Sequence, residues 1–354
     1  MKEIIEKTEI KIEFNSAILP QGRMLFFDIE TTGLKKETTQ IYLIGCGYEE
    51  NGCLTVHQWL AQDLSEEEAV LRAFFEFASV FSLLVHFNGD RFDIPYIQYR
   101  ASVYGLENPL GQMQGFDIYR QLKPAKALMG LERMSQRSVE HFMHIRREDT
   151  MSGGNLIPVF YEYARLKNAE AERLLLLHNS CDVQGMAGLL PALSYAGIIN
   201  GGFTFESAED TGEVLSLRYH LNEEVPLPVS SRTKEILLWA DADTLGMDIK
   251  IYEGELVKQI PNYKDYYYLP EEDMIVHKDV AQFVDKEYRQ KATAKNCVVK
   301  KSGRFIPSLI PDKNTDYILQ KNNEKPAYYI DITKIIHAKA DKFLQYAMDF
   351  FGIM

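Results

Sequence analysis

Short apolar runs, separated by polar turns, open this chain and predict strands. Residues 23–30, 41–48 and 54–60 form three such runs, and a polar Glu-Glu-Asn-Gly turn joins the second to the third. Shorter apolar runs at residues 83–87 and 115–119 predict two more strands.

Helical patterns lie between and after these strands. The Ser-x-x-Glu spacing of Ser65 and Glu68 predicts a capping box that begins a helix before the apolar run LRAFFEFASVF. Pro95 stands where a first helical turn would begin, and the residues up to about 199 predict several helices. Three successive strands, followed by alternating helices and strands, predict an α/β fold with helices packed on a mixed sheet.

The pattern changes after the pair Gly201-Gly202. The later segments predict strands at residues 234–239, 247–252 and 256–260 and helices at residues 279–289 and 334–351. We therefore expect an α/β domain over residues 20–203 and a smaller C-terminal α+β unit over residues 205–354.

Composition and charge restrict the class of protein. The 354 residues are 46% hydrophobic and 25% charged, which is typical of a soluble globular chain of about two domains. The four cysteines include no Cys-x-x-Cys pair, so neither a disulfide framework nor a cysteine zinc site is expected. The net charge of −12 excludes a basic coat protein of nucleic acid, but not an enzyme that acts on nucleic acid. The charged N-terminus and the lack of long apolar runs predict a cytoplasmic protein with no membrane partner.

Two carboxylates stand at the end of the first predicted strand. Asp28 and Glu30 in FFDIETTGL are two residues apart and therefore point to the same face of a strand. Side by side they repel each other, and a divalent cation, which prefers oxygen ligands, would relieve that repulsion. On this pair alone, a strand that simply reaches solvent is the more frequent explanation.

Two further segments place acidic residues at comparable positions. In HFNGDRFDIPYI, Asp93 follows the fourth strand at the sheet edge where α/β proteins carry their functional crevice, although it could also cap the next helix. In HNSCDVQGMAGLL, His178 and Asp182 are four residues apart on a predicted helix and share a face. Together the acids of the three segments predict a site for two Mg²⁺ or Mn²⁺ ions about 3.5–4 Å apart, suited to phosphodiester hydrolysis.

These three segments resemble the exonuclease motifs of the DEDD superfamily, which has an RNase H-like fold. NGDRFDIPY is especially similar to the second motif of the proofreading domains of family B polymerases. The succession SQRSVEHFMHIRRED, GGNLIPVFYEYA and HNSCD resembles the bacterial YprB-type group over about residues 20–200. The resemblance implies an RNase H-like mixed sheet flanked by helices, a two-metal mechanism and 3′→5′ removal of nucleotides.

The resemblance also implies a role for each motif residue. Asp28 would bridge both metal ions, Glu30 and Asp182 would hold the ion that activates water, and Asp93 would support the other ion. His178 would orient or deprotonate the attacking water. The third motif of the superfamily is usually Tyr-x₃-Asp or His-x₄-Asp, whereas this chain has His-x₃-Asp. Because one residue rotates a helical side chain by about 100°, the role of this histidine as a base stays open.

Several other residues are candidates for supporting roles. The candidate substrate-binding residues are Thr31, Thr32, Gly33 and Asn88. An ordinary turn explains the first three equally well. Asp117 and Asp149 could support the site or cap helices, and we favour the structural role for Asp149. Asn179, beside the motif histidine, is expected to point away from the reaction.

Basic and aromatic segments offer possible contacts with nucleic acid. Residues 120–147 and 286–304 are rich in Lys and Arg and could bind phosphates, although such runs are usually solvated faces. The tyrosines of segment 263–268 could stack on unpaired bases, but a strand with alternating tyrosines explains them better.

The sequence therefore favours a two-metal 3′–5′ exonuclease that acts on the end of single-stranded DNA or RNA. The alternative is a catalytically weak nucleic-acid-binding module of the same fold, which the His-x₃-Asp spacing keeps open. A third possibility is an endonuclease that cleaves inside hybrids. Protein partners are unknown at this point.

Overall fold

Residue contacts divide the chain into two units. The computed structural model describes residues 1–12, 16–312, 316–319, 327–336 and 340–353. The first unit comprises Met1–Asn200 with Glu223–Leu227, and the second comprises Gly201–Asn222 with Pro228–Met354.

A six-stranded mixed sheet forms the centre of the first unit. Its strands are β1 (Lys2–Lys11), β2 (Met24–Thr31), β3 (Ile41–Glu50), β4 (Cys53–Leu60), β5 (Leu83–His86) and β6 (Gln114–Asp117). Across the sheet their order is β1-β4-β3-β2-β5-β6. The first four strands in this order pair antiparallel, whereas β2, β5 and β6 run parallel to one another. Strand β2 therefore lies inside the sheet, between an antiparallel and a parallel neighbour.

Helices cover both faces of this sheet. They are α1 (Glu67–Ala78), α2 (Asp93–Val103), α3 (Ile118–Leu122), α4 (Gln136–Phe142), α5 (Gly153–Leu166), α6 (Ala169–Gly188) and α7 (Leu193–Ile199). Phe27 of β2 stacks on Phe74 of α1, with ring centroids 5.2 Å apart. The next residue, Asp28, accepts a hydrogen bond from Asn179 of α6. Since successive strand residues point to opposite faces, α1 and α6 lie on opposite sides of β2.

Two glycines of β3 let α6 approach the sheet closely. A β carbon at Gly45 would lie 1.8 Å from Oδ1 of Asn179, and one at Gly47 would lie 2.6 Å from Cγ1 of Val183. Any side chain at these two positions would push the helix away from the strand. The glycines thus determine how near the residues of α6 come to those of β2.

The capping box predicted at Ser65 and Glu68 is wrong. Asp63 accepts hydrogen bonds from both the amide and the hydroxyl of Ser65, at 2.9 and 2.5 Å, so Ser65 acts as a donor there. A short 3₁₀ turn, Leu64–Glu66, then leads into α1. Glu68 pairs instead with Arg72, one helical turn later, at 2.7 Å.

The second unit is built mainly of antiparallel strands. Its strands are β7 (Phe203–Asp210), β8 (Val214–Leu221), β9 (Val229–Arg232), β10 (Ile236–Asp241), β11 (Thr244–Lys250), β12 (Tyr252–Gln259), β13 (Tyr266–Leu269), β14 (Met274–His277), β15 (Gln290–Lys291), β16 (Val298–Pro307), β17 (Tyr317–Leu319) and β18 (Ala327–Asp331). Its helices are α8 (Lys278–Ala281), α9 (Thr333–Ile336) and α10 (Ala340–Ile353). The strands form a five-stranded sheet ordered β7-β8-β11-β10-β9, a closed barrel of β12, β16, β18 and β17, and a three-stranded sheet ordered β14-β13-β15.

The helix predicted over residues 279–289 is wrong, because α8 ends after one turn. The carbonyl of Ala281 accepts hydrogen bonds from the Val284 amide and from the Arg289 guanidinium. That carbonyl is therefore not available to continue an α-helical ladder. Within the predicted closing helix, residues 337–339 lie outside the described residues. In the described parts of the chain, no helix has both the length and the apolar character that crossing a membrane requires.

Candidate metal centre

Acidic side chains from β2 and α6 converge on the face of the sheet that α6 covers. Asp28 and Glu30 project from β2, and His178 and Asp182 project from α6. One ligand-capable atom each of Glu30, His178 and Asp182 lies within 4.8 Å of the other two. The imidazole Nε2 is 3.2 Å from Oδ2 of Asp182 and 3.5 Å from Oε1 of Glu30. The predicted face shared by His178 and Asp182 is thus confirmed.

Burial and the charges of neighbouring acids raise the pKa values of the predicted acids. Burial raises the pKa of both Asp28 and Glu30 well above the usual range, and repulsion from Asp182 and Asp93 raises it further in each case. The pKa of Asp93, the first residue of α2, is raised to about 7 by burial, and the charges of Asp117 and Asp182 add to this. Ionising these buried, neighbouring acids is therefore unfavourable without a counter-charge, and a bound cation would supply that charge.

Asn179 belongs to this site, so the expectation that it points away is wrong. Its side chain is fully buried, and its Nδ2 donates to Oδ2 of Asp28 at 2.8 Å. Its Oδ1 accepts from Nε2 of Gln58 on β4, also at 2.8 Å. Because α6 packs so closely on the sheet, two adjacent helix residues can both face it, with His178 toward Glu30 and Asn179 toward Asp28.

Asp149 contacts His178 directly, and Ser152 rather than Asp149 is the N-cap of the following helix, so the helix-cap role that we favoured for Asp149 is wrong. Its Oδ2 lies 2.6 Å from Nδ1 of His178, while its Oδ1 accepts the Met151 amide at 2.8 Å. Arg137 and Arg147 donate to Oδ2 at 2.6 and 3.2 Å. Burial alone would raise the pKa of Asp149, but these hydrogen bonds outweigh it and lower the pKa. An ionised carboxylate only accepts, so Nδ1 of His178 carries the hydrogen of this bond.

Arg147 lies within the site rather than on a phosphate-binding surface. Its Nη1 donates to Oδ1 of Asp182 at 2.8 Å and contacts both carboxylate oxygens of the buried Glu140 at 3.1 and 3.2 Å. Gln136 bridges the same groups, since its Nε2 donates to Glu140 and to the backbone carbonyl of Asp182, each at 2.8 Å. This part of the basic segment 120–147 is therefore an internal ion-pair network.

The candidate substrate residues after Glu30 form a closed turn. Thr31 donates its hydroxyl hydrogen to the Gly33 carbonyl at 2.9 Å, and the Thr32 hydroxyl accepts the Gln40 amide at 3.0 Å. The hydroxyls thus stabilise the turn, and the neighbouring Leu34 side chain is 85% exposed. Substrate binding by residues 31–33 stays a prediction.

Asn88 lies at a corner beyond the carboxyl end of β5. It has a φ of 62°, a left-handed conformation that asparagine tolerates better than most residues. Its amide donates to Oδ1 of Asp117 at 2.7 Å, and Asp117 also caps α3. His86, Asp90 and Asp117 form a second group with metal-ligand spacing, in which Nδ1 of His86 accepts the Gly89 amide at 3.1 Å. Substrate contact by the Asn88 side chain stays a prediction.

In the second unit, acids balance part of the basic segment 286–304. Arg304 donates to both oxygens of Asp210 at 2.6 and 2.7 Å, Lys300 pairs with Asp273, and Lys301 pairs with the buried Asp331. The exposed bases of this segment include Lys286, Lys291 and Lys295. Tyrosines 266–268 lie in strand β13, as the strand explanation predicts, but all three are half-buried, so the predicted alternation of buried and exposed tyrosines is wrong.

Comparison with known proteins is consistent with this architecture. Residues 25–194, a little under half of the chain, match the RNase_H superfamily. A segment of 101 residues is 30% identical to DNA polymerase 1 of Sulfurisphaera ohwakuensis, and it covers 27% of this chain but only 12% of that polymerase. The predicted RNase H-like fold, with its mixed sheet flanked by helices, is thereby confirmed. The narrower DEDD and YprB-type resemblances stay predictions.

Two solved structures show weaker similarity. The family B DNA polymerase of Pyrobaculum calidifontis aligns with a TM-score of 0.42 at 14% identity, over 72% of this chain and 38% of the polymerase. The ExoI/SSB-Ct complex aligns with a TM-score of 0.30 at 9% identity, over 80% of this chain and 66% of that chain. TM-scores this low do not bear on the chemistry of the site.

Proposed function

We propose that this protein is a metal-dependent nuclease of the DEDD type. It would hydrolyse phosphodiester bonds from the 3′ end of single-stranded nucleic acid. The observation that carries the proposal is the cluster of Glu30, His178 and Asp182 from two separate segments, beside Asp28, which the same helix contacts through Asn179. The raised pKa values of Asp28, Glu30 and Asp93, caused first by burial and then by neighbouring acids that include Asp182, support it. The RNase H-like fold, which residues 25–194 match, supports it.

The donor set fits divalent cations. Carboxylate oxygens are the ligands that Mg²⁺ and Mn²⁺ prefer, and the excess negative charge of the site favours their binding. Two bound ions would supply an activated water and neutralise charge on the attacking and leaving oxygens. Asp28 would serve both ions, Glu30 and Asp182 the ion on the side of His178, and Asp93 the other.

The remaining residues of the chain would hold these acids and the substrate. Asn179 fixes one oxygen of Asp28, and Arg147 fixes one oxygen of Asp182. The end of a nucleic-acid strand would enter beside the turn 31–33, where the exposed Leu34 offers an apolar surface to a base. The side chain of Asn88 would make a polar contact with the strand.

An end-labelled oligonucleotide tests the proposal. Single-stranded DNA and RNA carrying a 5′ label should be shortened one nucleotide at a time when Mg²⁺ or Mn²⁺ is present. A blocked 3′ end should prevent shortening. Asp28→Asn should reduce the rate by about 100-fold or more, because it removes the charge that the ions require. The matched control is Glu76→Gln, which makes the same chemical change on an exposed residue of α1.

A catalytically weak binding module is the second candidate, and one observation favours it. The Arg147 guanidinium already places a positive charge against Asp182 inside the site. This candidate predicts that the wild-type protein binds single strands without turnover in either metal. An endonuclease would instead cut a circular single strand or a hybrid, which an exonuclease leaves intact. The second unit would serve as an accessory nucleic-acid-binding domain in any of these cases.

A further inference from the structure

We propose that His178 is itself a metal ligand, so that Glu30, His178 and Asp182 form a mixed nitrogen and oxygen site that favours transition-metal dications over Mg²⁺. This inference rests on the proposed function and specifies the metal class of the same site. It assigns the histidine to the metal rather than to the attacking water.

The separations between the donor atoms support this assignment. Two ligands that each lie about 2.1 Å from one ion, at angles of about 90–110°, are about 3.0–3.4 Å apart. Nε2 of His178 is 3.2 Å from Oδ2 of Asp182 and 3.5 Å from Oε1 of Glu30. The first distance falls within this range and the second is 0.1 Å beyond it, while one donor atom of each of the three residues lies within 4.8 Å of the other two. Small adjustments would bring the three donors onto a single ion.

Asp149 orients the imidazole for this role. It accepts the hydrogen on Nδ1 at 2.6 Å, and the Met151 amide, Arg137 and Arg147 hold the carboxylate in place. With Nδ1 engaged, the other ring nitrogen, Nε2, is the one directed at the two carboxylates. A histidine whose second nitrogen donates to a carboxylate is the usual arrangement of metal-bound histidines. Asp149 is thus a positioning residue for the ligand.

The same geometry argues against a histidine that acts on water from outside the metal's ligand shell. An intervening water would lie about 2.1 Å from the ion and about 2.8 Å from the ring nitrogen. That places the nitrogen about 4 Å from the ion. The distances from Nε2 of His178 to the two carboxylate oxygens, 3.2 and 3.5 Å, are instead close to those between ligands that share one ion. A nitrogen ligand strengthens binding of Mn²⁺, Co²⁺ or Zn²⁺ far more than binding of Mg²⁺.

Electron spin-echo spectroscopy of the Mn²⁺-loaded wild-type protein tests the assignment directly. A coordinated imidazole gives a ¹⁴N modulation, which should change to the ¹⁵N pattern when histidine is isotopically labelled. This measurement needs no variant and is independent of nuclease activity. Titration calorimetry with Mn²⁺ and Mg²⁺ then measures the contribution of the ligand. His178→Gln should weaken Mn²⁺ binding by about 10–100-fold and Mg²⁺ binding by less than about 3-fold.

Two further variants complete the design. Asp149→Asn should weaken Mn²⁺ binding by about 10-fold through loss of the oriented ring, while His141→Gln, on the exposed side of α4, should leave it unchanged. If Mn²⁺ binds and Asp28→Asn weakens it, but wild type shows no directly coordinated nitrogen, then His178 is not a ligand and the proposed nuclease function stands. If wild type binds neither ion, both proposals are wrong.

Discussion

Replacing Gly45 with alanine should disturb the candidate metal centre through the packing of α6. The added β carbon would lie 1.8 Å from Oδ1 and 2.6 Å from Cγ of Asn179. Contacts this short do not occur, so the amide must move. It would then lose its hydrogen bonds to Gln58 and to Asp28, which are both 2.8 Å long.

The expected loss of stability follows from these two effects. Overpacking a dense core costs about 1–3 kcal/mol. Loss of a hydrogen bond to a charged group costs about 1.5–3 kcal/mol. We therefore expect Gly45→Ala to lower the free energy of unfolding in urea by about 3–5 kcal/mol. The matched control is Gly115→Ala on β6, where a β carbon has nothing within 4 Å and the change should be within about 0.5 kcal/mol.

A double-mutant cycle identifies the cause. Asn179→Ala removes the group that the new β carbon would meet, so Gly45→Ala should cost little more once Asn179→Ala is present. The coupling between the two changes should be about 2 kcal/mol or more. Mn²⁺ affinity should fall in each single variant, because Asp28 loses its fixed orientation. Additive losses of stability, or a Gly45→Ala variant as stable as the Gly115 control, would refute this reasoning.

Three further predictions concern charge at the site. The pKa of Asp93 is raised to about 7, so between about pH 4 and pH 7 the folded metal-free protein binds a proton that the unfolded chain does not, and stability falls as pH rises through this range. Asp93→Asn should flatten that part of the stability curve, measured by urea unfolding, by about 4 kcal/mol. Arg147→Met should destabilise the protein by about 3–5 kcal/mol, because it leaves the buried Glu140 without its cationic partner. Arg72→Met, at an exposed pair, should cost less than about 1 kcal/mol. Mn²⁺ at about 100 times its dissociation constant should stabilise the wild-type protein by about 2.7 kcal/mol in thermal unfolding. Asp28→Asn should abolish this gain. In the absence of metal, the same variant should be more stable than wild type.

Local patterns account for the parts of the fold and site that the sequence predicts well. Strands β2, β3 and β4 are apolar runs bounded by turns, and the period of a strand places Asp28 and Glu30 on one face whatever surrounds them. In the same way, the helical period alone places His178 and Asp182 together. Strand β1 is missed because charged residues interrupt its apolar pattern, as is common for an edge strand that must resist further pairing.

Long-range packing determines the parts that the sequence does not predict. Asp149 lies in a polar stretch without periodicity, and its contact with His178, 29 residues later, depends on how that stretch packs against α6. From the sequence, Arg147 is one base in a basic run, yet it is half-buried and pairs with three acids. The role of Asn179, on helix α6, depends on the absence of a side chain at Gly45 of strand β3. No local propensity encodes such pairings.

The half-buried Arg147 does not take the place of a metal ion in this site. Its positive charge lowers the pKa of Glu30, yet burial and the neighbouring acids still hold that pKa well above the usual range, so the arginine does not offset the cost of ionising this acid. Arg147 donates to Oδ1 of Asp182 and leaves Oδ2 directed at His178, just as Asn179 donates to one oxygen of Asp28. Each of these acids thus has one oxygen held by the protein, which prepares the carboxylate for a cation at little entropic cost. This division of each carboxylate favours a working metal centre over a module that binds nucleic acid without cleaving it.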